Sequence, residues 1–316
     1  MTDHLRFIVA LFCLKEWEQT TNIRLDVRVD RRTGEIKNKR RKNSNTIMYD
    51  GEFEGFKLIV FEVQHLKDGK YTHSTYRLWV EGSIHKNAFN GRNYERLYFE
   101  HYHTELSRIC KALDINPAIA TLLSFEYGVN VKPSIEVQDI VENWLVTYST
   151  KEFIKYQPGK KGRSLGKVAK LGEYSVKCYN KGPQYGLTEN KLRFELRFSR
   201  LRRLKQPPYC IRTLADLLDK NKLGEVSNLL IRAWSKVLLC DPQLPNKATA
   251  EEHRELMISG KNPLYWMNMV RKQSGNRKIY YRLRAVFIKL TQKYSDCDLH
   301  SEIAGLIKKE VDELLG

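Results

Sequence analysis

Closely spaced cysteines are missing from this sequence of 316 residues. Its six cysteines are widely scattered, and no two stand in the CxxC spacing that is typical of zinc sites. A chain of this length with so few cysteines is not expected to be a disulfide scaffold either. These absences argue against a structural zinc module and against a small cross-linked secreted domain.

Long apolar runs are missing as well. The first apolar run, Leu5–Leu14, is short and is followed directly by Lys15 and Glu16, so no secretory signal is predicted. No segment has the roughly 20 consecutive apolar residues that a membrane-spanning helix needs. We therefore expect a cytoplasmic protein.

Acidic residues are few relative to basic ones. The chain has 37 Asp and Glu against 55 Lys and Arg, which gives a net charge of +18 and a pI near 9.5. Such an imbalance predicts a polyanionic partner, because cations that neutralise phosphates release the counterions around them. The bland alternative is a basic protein whose charges only keep it in solution.

Two basic segments have no apolar period: residues 31–42 are predicted to be a loop or a hairpin tip, and residues 156–171 a flexible loop. Residues 31–42 hold seven basic side chains and one acidic one, and residues 156–171 are basic and rich in glycine. The second segment does not fit a Walker A loop, because neither Ser nor Thr follows the lysine of its GKKGRSLGK run. Solvated loops remain the alternative to phosphate contact. The expected DNA-binding residues are Arg31, Arg32, Lys39, Arg40, Arg41, Lys42, Lys160, Lys161 and Arg163.

Residues 1–212 show the mixed pattern of an α+β domain. Alternation predicts strands, of which Phe56–Gln64 and Tyr76–Val80 form a hairpin, and apolar residues at helical spacing predict helices. The fold class expected is a largely antiparallel sheet with flanking helices. The other predicted elements are a strand or short helix at Leu5–Leu14, strands Ile23–Val29 and Leu122–Val131, and helices Tyr98–Leu113 and Ile135–Tyr148.

Beyond Pro207-Pro208 the pattern changes to helices without strands. We expect a small, all-helical C-terminal module over residues 213–316, whose basic helix Arg271–Lys293 also touches nucleic acid. The predicted helices are Leu214–Leu218, Leu223–Leu239, Pro263–Met269, Tyr280–Tyr294 and Leu299–Leu315.

The segment Tyr174–Phe198 carries the most unusual chemistry. Tyr179 alternates with Lys177 and Lys181 on one predicted strand, and Arg193, Glu195 and Arg197 alternate on the next. Since alternate residues of a strand share a face, a tyrosine, a carboxylate and several cations are expected on one side of a sheet. Packing alone could explain such a tyrosine. The functional hypothesis is a phenolate nucleophile that attacks a phosphodiester beside cations that stabilise it.

A divalent metal site is a second hypothesis. Glu126 and Glu195 are isolated carboxylates on predicted strands, and oxygen ligands suit Mg²⁺ or Mn²⁺. His85 is a candidate third ligand or, equally, a loop histidine. The pair His101 and His103 resembles a metal motif, but the predicted helix would point the two rings about 200° apart, so it is interpreted as coincidence.

These motifs, in this order, resemble those of rolling-circle replication initiators, closest to the initiation proteins of filamentous phages and related plasmids. The resemblance covers most of residues 5–215. It is carried by GSIHK (82–86), NPAIATLLSFEYGVNV (116–131), YSVKCYNKG (174–182) and LRFELRF (192–198).

The resemblance implies a metal-dependent, origin-specific DNA-nicking and strand-transfer enzyme. Tyr179 would be the nucleophile that leaves a 5′-phosphotyrosine and a free 3′-hydroxyl, with Lys181, Arg193 and Arg197 offsetting phosphate charge. Glu126, Glu195 and His85 would hold Mg²⁺ or Mn²⁺. The implied partners are a single-stranded or hairpin origin and the helicase and polymerase of a bacterial host, in whose cytoplasm the phage or plasmid protein would work.

Alternatives remain open at this point. Tyr174, Tyr185 and Tyr209 also lie near enough in sequence to be nucleophiles. A non-catalytic origin-binding or regulatory protein would explain the charge without needing an aligned tyrosine, lysine and glutamate. A mobilisation relaxase would use similar chemistry for DNA transfer, and only genetic context separates it from a replication initiator.

Overall fold

The structure is a computed structural model, and it describes residues 2–29, 32, 34–36, 38–41, 44–156, 166–240, 251–272, 277–294 and 298–316. Its strands are β1 Thr2–Leu11, β2 Asp26–Val27, β3 Asn38–Arg41, β4 Ser44–Phe53, β5 Phe56–Lys67, β6 Lys70–Ser83, β7 Thr121–Val131, β8 Leu145–Tyr148, β9 Lys151–Glu152, β10 Ile154–Tyr156, β11 Gly166–Lys170, β12 Tyr174–Asn180, β13 Leu192–Phe198 and β14 Val237–Leu239.

Helices flank these strands and make up much of the C-terminal third. They are α1 Leu14–Thr21, α2 Ile84–Ala88, α3 Phe99–Ala112, α4 Val137–Asp139, α5 Leu214–Leu217, α6 Lys220–Trp234, α7 Glu251–Gly260, α8 Pro263–Lys272, α9 Arg277–Tyr294 and α10 Leu299–Leu315. A π-helical turn, Ile140–Trp144, follows α4, and a short 3₁₀ turn, Pro183–Tyr185, follows β12.

The chain divides into two compact units. Unit 1 comprises Met1–Glu126, Phe198–Val226 and Leu314–Gly316, and unit 2 comprises Tyr127–Arg197 and Ser227–Glu313. Strand β7 therefore begins in unit 1 and ends in unit 2.

Unit 1 contains an antiparallel sheet in the order β1–β6–β5–β4–β2, with β3 paired to β4. Its long hairpin turns at Asp68 and Gly69, both at positive φ, as the two-residue loop of a twisted hairpin requires. Alternate residues of β1, β5 and β6 bury one face of the sheet, for example Phe7, Leu58 and Val80.

Unit 2 contains two antiparallel groups of strands. One has the order β10–β11–β12–β13, followed by the end of β7, and the other has the order β14–β8–β9. Helices α7, α8 and α9 pack on the second group around a core that includes Val146, Leu238, Trp266 and Phe287.

The expected fold class is confirmed: the described chain is α+β with largely antiparallel sheets and flanking helices. The β5–β6 hairpin, helix α3, strand β7 and the pair of strands at Tyr174–Phe198 lie where the sequence predicts them. Leu5–Leu14 falls mainly in a strand rather than a helix. The boundary at residue 212 stays a prediction.

Four predictions about secondary structure were wrong in whole or in part. Ile135–Tyr148 is not one helix, because it divides into α4, the π turn and strand β8. The C-terminal part is not free of strands, since β14 pairs with β8. Residues 166–170 form a strand rather than a loop. Of the expected strand Ile23–Val29, Asp26–Val27 forms a strand and Val29 makes an isolated bridge to Ile36.

Candidate active site on strands β12 and β13

Strands β12 and β13 place the predicted catalytic residues in unit 2. The apolar phase of each strand is buried, with Val176, Cys178, Phe194 and Leu196 at 0% exposure. Burial raises the pKa of the Cys178 thiol to about 12. The polar side chains of the two strands contact one another. They therefore share one face of the sheet, as strand alternation predicts.

The carboxylate of Glu195 is the centre of this polar face. Its Oε1 accepts a hydrogen bond from Lys177 Nζ at 2.8 Å, and its Oε2 accepts one from Arg193 Nε at 3.0 Å. The hydroxyl of Tyr179 also points to Oε2, at 3.3 Å. Glu195 and Arg193 are 0% exposed and Lys177 is 5% exposed. The face is thus a buried ionic cluster rather than a solvated surface.

Lysines and tyrosines interleave around the Tyr179 ring. Lys181 Nζ lies 5.4 Å from the ring centroid of Tyr179 and 5.4 Å from that of Tyr185. On the other side, Lys177 Nζ lies 5.3 Å from the ring centroid of Tyr156, whose own centroid is 6.1 Å from that of Tyr179. These separations fall within the range of cation–π attraction, so the rings help to hold the ammonium groups near the phenol.

Arg193 joins two neighbouring strands. Its Nη1 donates to the carbonyl of Gly128 at 3.2 Å and to the side-chain oxygen of Asn130 at 3.4 Å, while its Nε bonds Glu195. A planar guanidinium with several fixed donors suits this role, whereas an ammonium group could not reach all three partners in one geometry.

Two glycines make room for the cluster. A Cβ on Gly128 would lie 2.4 Å from Cβ of Glu195, and a Cβ on Gly166 would lie 2.1 Å from Cβ of Tyr179. Any side chain at either position would displace backbone or the two site residues. In the sequence, Gly128 alternates with Glu126 and Asn130, so strand alternation places it on their face of the sheet. Nothing in the basic, glycine-rich segment indicates that Gly166 contacts the site.

The remaining predicted catalytic residues differ in their surroundings. Lys181 is buried beside Tyr179, whereas Arg197 is exposed. Among the alternative nucleophiles, Tyr174 Oη is 3.1 Å from Tyr148 Oη, Tyr185 lies near Lys181, and Tyr209 belongs to unit 1.

The structure brings Glu195 to Tyr179, but the expected metal ligands Glu126 and His85 belong to unit 1. Glu126 is 8% exposed. His85 is buried at the start of α2, and its Nε2 lies 2.9 Å from the carbonyl oxygen of Glu95, so this nitrogen carries the proton. No group of three or more His, Cys, Asp or Glu side chains within the described residues is arranged to hold a metal ion.

The donors around Glu195 do not fit a divalent ion on that carboxylate. Both oxygens already accept hydrogen bonds from cations, and a metal ion there would lie close to Lys177 and Arg193. The metal ion and the two cations are all positive, and positive charges this close together repel strongly at a buried site. That Glu126, Glu195 and His85 together bind Mg²⁺ or Mn²⁺ stays a prediction.

His101 and His103 lie on α3, as expected, with the buried Tyr102 between them. Their rings have different neighbours: that of His101 meets Tyr98 and that of His103 meets Phe99. This arrangement agrees with the interpretation of the pair as a coincidence.

Few of the expected DNA-binding side chains can be placed. Arg32 is exposed, and the backbone of Lys39, Arg40 and Arg41 forms strand β3. Side chains on β3 are not described. Arg31, Lys42, Lys160, Lys161 and Arg163 lie outside the described residues.

Comparisons with known proteins give one structural similarity. No protein family and no curated protein matches the chain by sequence. A similar solved structure is that of a rolling circle replication initiator protein from Geobacillus stearothermophilus, with 11% identity, a TM-score of 0.35, and coverage of 86% of this chain and 95% of that chain. In the part of the chain that the structure describes, no helix is long and apolar enough to cross a membrane.

Proposed function

We propose that this protein initiates rolling-circle DNA replication as an origin-specific nicking and strand-transfer enzyme with Tyr179 as its nucleophile. One observation carries the proposal: the Tyr179 hydroxyl points to a buried carboxylate that two cations also contact, while Lys181 lies beside its ring. A phenol, an acceptor for its proton and cations for phosphate are the parts that a transesterification at phosphorus needs.

The chemistry follows from these positions. The Tyr179 oxygen attacks the phosphorus of a phosphodiester, its proton passes to Glu195 Oε2, and the bond from phosphorus to the 3′-oxygen breaks. The 5′ end stays on the enzyme as phosphotyrosine. The proton on Glu195 then passes to the leaving 3′-oxygen, so that a free 3′-hydroxyl results, Glu195 is a carboxylate again and no net charge is created.

The cations have separate parts in this scheme. Lys181 and Lys177 place positive charge near the phenol, where it stabilises the negative charge that develops around phosphorus in the transition state. Arg193 keeps Glu195 oriented, and the exposed Arg197 would contact a phosphate of the bound strand. The free 3′-hydroxyl would serve a host polymerase, with a host helicase opening the duplex in the cytoplasm of a bacterium.

Mg²⁺ or Mn²⁺ would supply further stabilisation of phosphate charge if it binds near this site. Because Glu195 is already paired with two cations, metal binding is tested separately from cleavage. The tests are chelation and the titration of Glu126→Gln and His85→Ala variants with Mn²⁺. Isothermal calorimetry on the uncomplexed protein gives a readout that does not depend on cleavage.

The deciding experiment compares Tyr179→Phe with Tyr174→Phe on the same strand. Both variants lose one phenolic hydroxyl, but that of Tyr174 is bonded to Tyr148 and away from Glu195. We expect wild type and Tyr174→Phe to nick a supercoiled plasmid that carries the protein's own replicon, and to leave a covalent protein–DNA band on a denaturing gel. Tyr179→Phe should give neither product while still retarding DNA on a native gel.

A covalent band with Tyr179→Phe would show that Tyr179 is not the nucleophile. If wild type gives only a salt-sensitive shift on native gels, the protein is a non-catalytic DNA-binding protein instead. A nick restricted to a transfer origin would indicate a mobilisation relaxase.

A further inference from the structure

The sheet of unit 1 has one covered face and one face that is not buried. Leu5, Phe7, Leu58 and Val80 belong to the covered face, at 0% exposure. On the opposite phase of β1, β4, β5 and β6, Thr2 at the start of β1 is buried, and the other described side chains are half-buried or exposed. We refer to this second side as the open face.

Apolar and aromatic side chains run across the middle of the open face. The pairing register places Ile8 opposite Trp79 and Trp79 opposite Ile59, and in the next row Arg77 lies opposite Phe61. The rings of Phe61 and Trp79 are 5.9 Å apart at a tilt of 35°. Six apolar residues lie in these two rows and the next one: Ile8, Met48, Ile59, Phe61, Val63 and Trp79.

Cations border the aromatic pair, and three acids also lie on this face. The guanidinium of Arg6 lies 5.0 Å from the centre of the Trp79 ring, and Arg77 is exposed beside Phe61. Of the acids, Glu81 lies 3.3 Å from His4 Nε2, Asp50 is bonded by Arg28, and the exposed Glu52 lies opposite Lys57. Positive charge next to half-buried aromatic rings that still reach the surface is an arrangement that attracts a phosphate backbone and stacks its bases.

We propose that the open face of unit 1 binds single-stranded nucleic acid, with bases stacked on Trp79 and Phe61 and phosphates near Arg6 and Arg77. The proposal rests on the proposed function for one point only, namely that the bound strand is DNA. It adds a binding surface on strands that hold none of the nicking residues.

Single strands fit this face better than duplex DNA does. The bases of a duplex are already stacked and paired, so flat aromatic rings on a sheet have nothing to stack on, whereas unpaired bases can lie on them. A chain with a net charge of +18 also favours a polyanion over a second copy of itself, because two such copies repel.

The test measures the affinity of the full chain for fluorescein-labelled oligothymidylate of about 20 nucleotides, by anisotropy at several salt concentrations. The Tyr179→Phe variant serves as background, so that no cleavage interferes. Stacking contributes about 1–3 kcal/mol per base, so Trp79→Ala should weaken binding by about 5- to 150-fold. Trp79→Phe keeps a stacking ring and should lose less. Neither change should affect binding of the same sequence as a duplex.

A matched pair of charge variants tests the phosphate contact. Arg77→Gln should make the dependence of log K on log salt shallower by about 0.7, the amount expected for one phosphate contact on a single strand. Lys111→Gln removes one exposed cation from α3, outside the open face, and should leave the slope unchanged. If Trp79→Ala does not fold, as judged by circular dichroism, Trp79→Phe and Arg77→Gln decide the question.

The outcomes separate this proposal from the proposed function. Unchanged affinity for both Trp79→Ala and Arg77→Gln would overturn the open face as a strand-binding surface, whether or not Tyr179 nicks DNA. Loss of affinity in a protein that never nicks would uphold the surface and overturn the nickase. A change in oligomeric state with unchanged affinity would overturn the proposal and assign the face to contacts between copies.

Discussion

Removing the charge of Glu195 should destabilise unit 2 strongly. Glu195→Gln keeps the size of the side chain but takes the negative charge from between Lys177 and Arg193, which contact it at 2.8 and 3.0 Å. Both cations are almost completely buried, so water cannot replace the lost partner. Two buried positive charges would then face an amide.

The magnitude follows from the cost of an uncompensated buried charge. Breaking a buried ion pair by removing one partner costs about 3–5 kcal/mol. In a domain of about 150–250 residues each kcal/mol lowers Tm by about 2–4 °C, so a decrease of about 6–20 °C is expected for the unfolding of unit 2. The double variant Glu195→Gln with Lys177→Met should recover part of the loss, because one of the stranded charges is gone.

Differential scanning calorimetry measures this change, and the loop before β13 supplies a control. Glu189 also contacts two lysines, Lys191 at 2.7 Å and Lys132 at 3.4 Å, but its side chain is 46% exposed. Exposed pairs of this kind contribute little to stability. Glu189→Gln should therefore melt at almost the wild-type temperature. Equal melting temperatures for Glu195→Gln and Glu189→Gln would refute the account of Glu195 as the centre of a buried ionic cluster.

Two further predictions concern the backbone and the thiol next to Tyr179. Gly166→Ala should lower nicking at least tenfold, because the new Cβ would stand 2.1 Å from Cβ of Tyr179, whereas Gly172→Ala meets nothing within 4 Å and should leave nicking unchanged. Equal rates for both variants would contradict the close approach. Burial raises the pKa of the Cys178 thiol to about 12, so Cys178 should resist thiol reagents at pH 8 until the protein unfolds. The partly exposed Cys13 should react in the native state. Mass spectrometry of labelled peptides measures this, and rapid native labelling of Cys178 would count against its burial.

Local patterns predicted the part of the site that lies on two strands. Alternation in Tyr174–Asn180 and Leu192–Phe198 put Lys177, Tyr179, Arg193 and Glu195 on one face, and the contacts among them agree. Alternation does not indicate, however, whether a polar face is exposed to solvent or buried. The burial of four ionisable residues came from packing, which no single strand specifies.

Non-local pairing explains the largest error in the predicted fold. The spacing of Ile140, Val141, Trp144 and Leu145 resembles a helix, but Leu145–Tyr148 instead pairs with Val237–Leu239, about ninety residues later in the chain. Each of the two strands is too short to show a period of its own. The same pairing placed a strand in the region that was predicted to be wholly helical.

The location of the Tyr179 cluster on neighbouring strands, rather than on loops, has a consequence for the direction of the proposed reaction. A site on paired strands changes little in shape between substrate and product, so the same donors and acceptors surround phosphorus in both states. By microscopic reversibility, groups that lower the barrier to cutting a strand lower the barrier to rejoining it equally. Because the phosphotyrosine bond keeps the energy of the broken phosphodiester, such an enzyme can close a circle without ATP. The 3′-hydroxyl that is present would then determine whether the DNA stays open or is sealed.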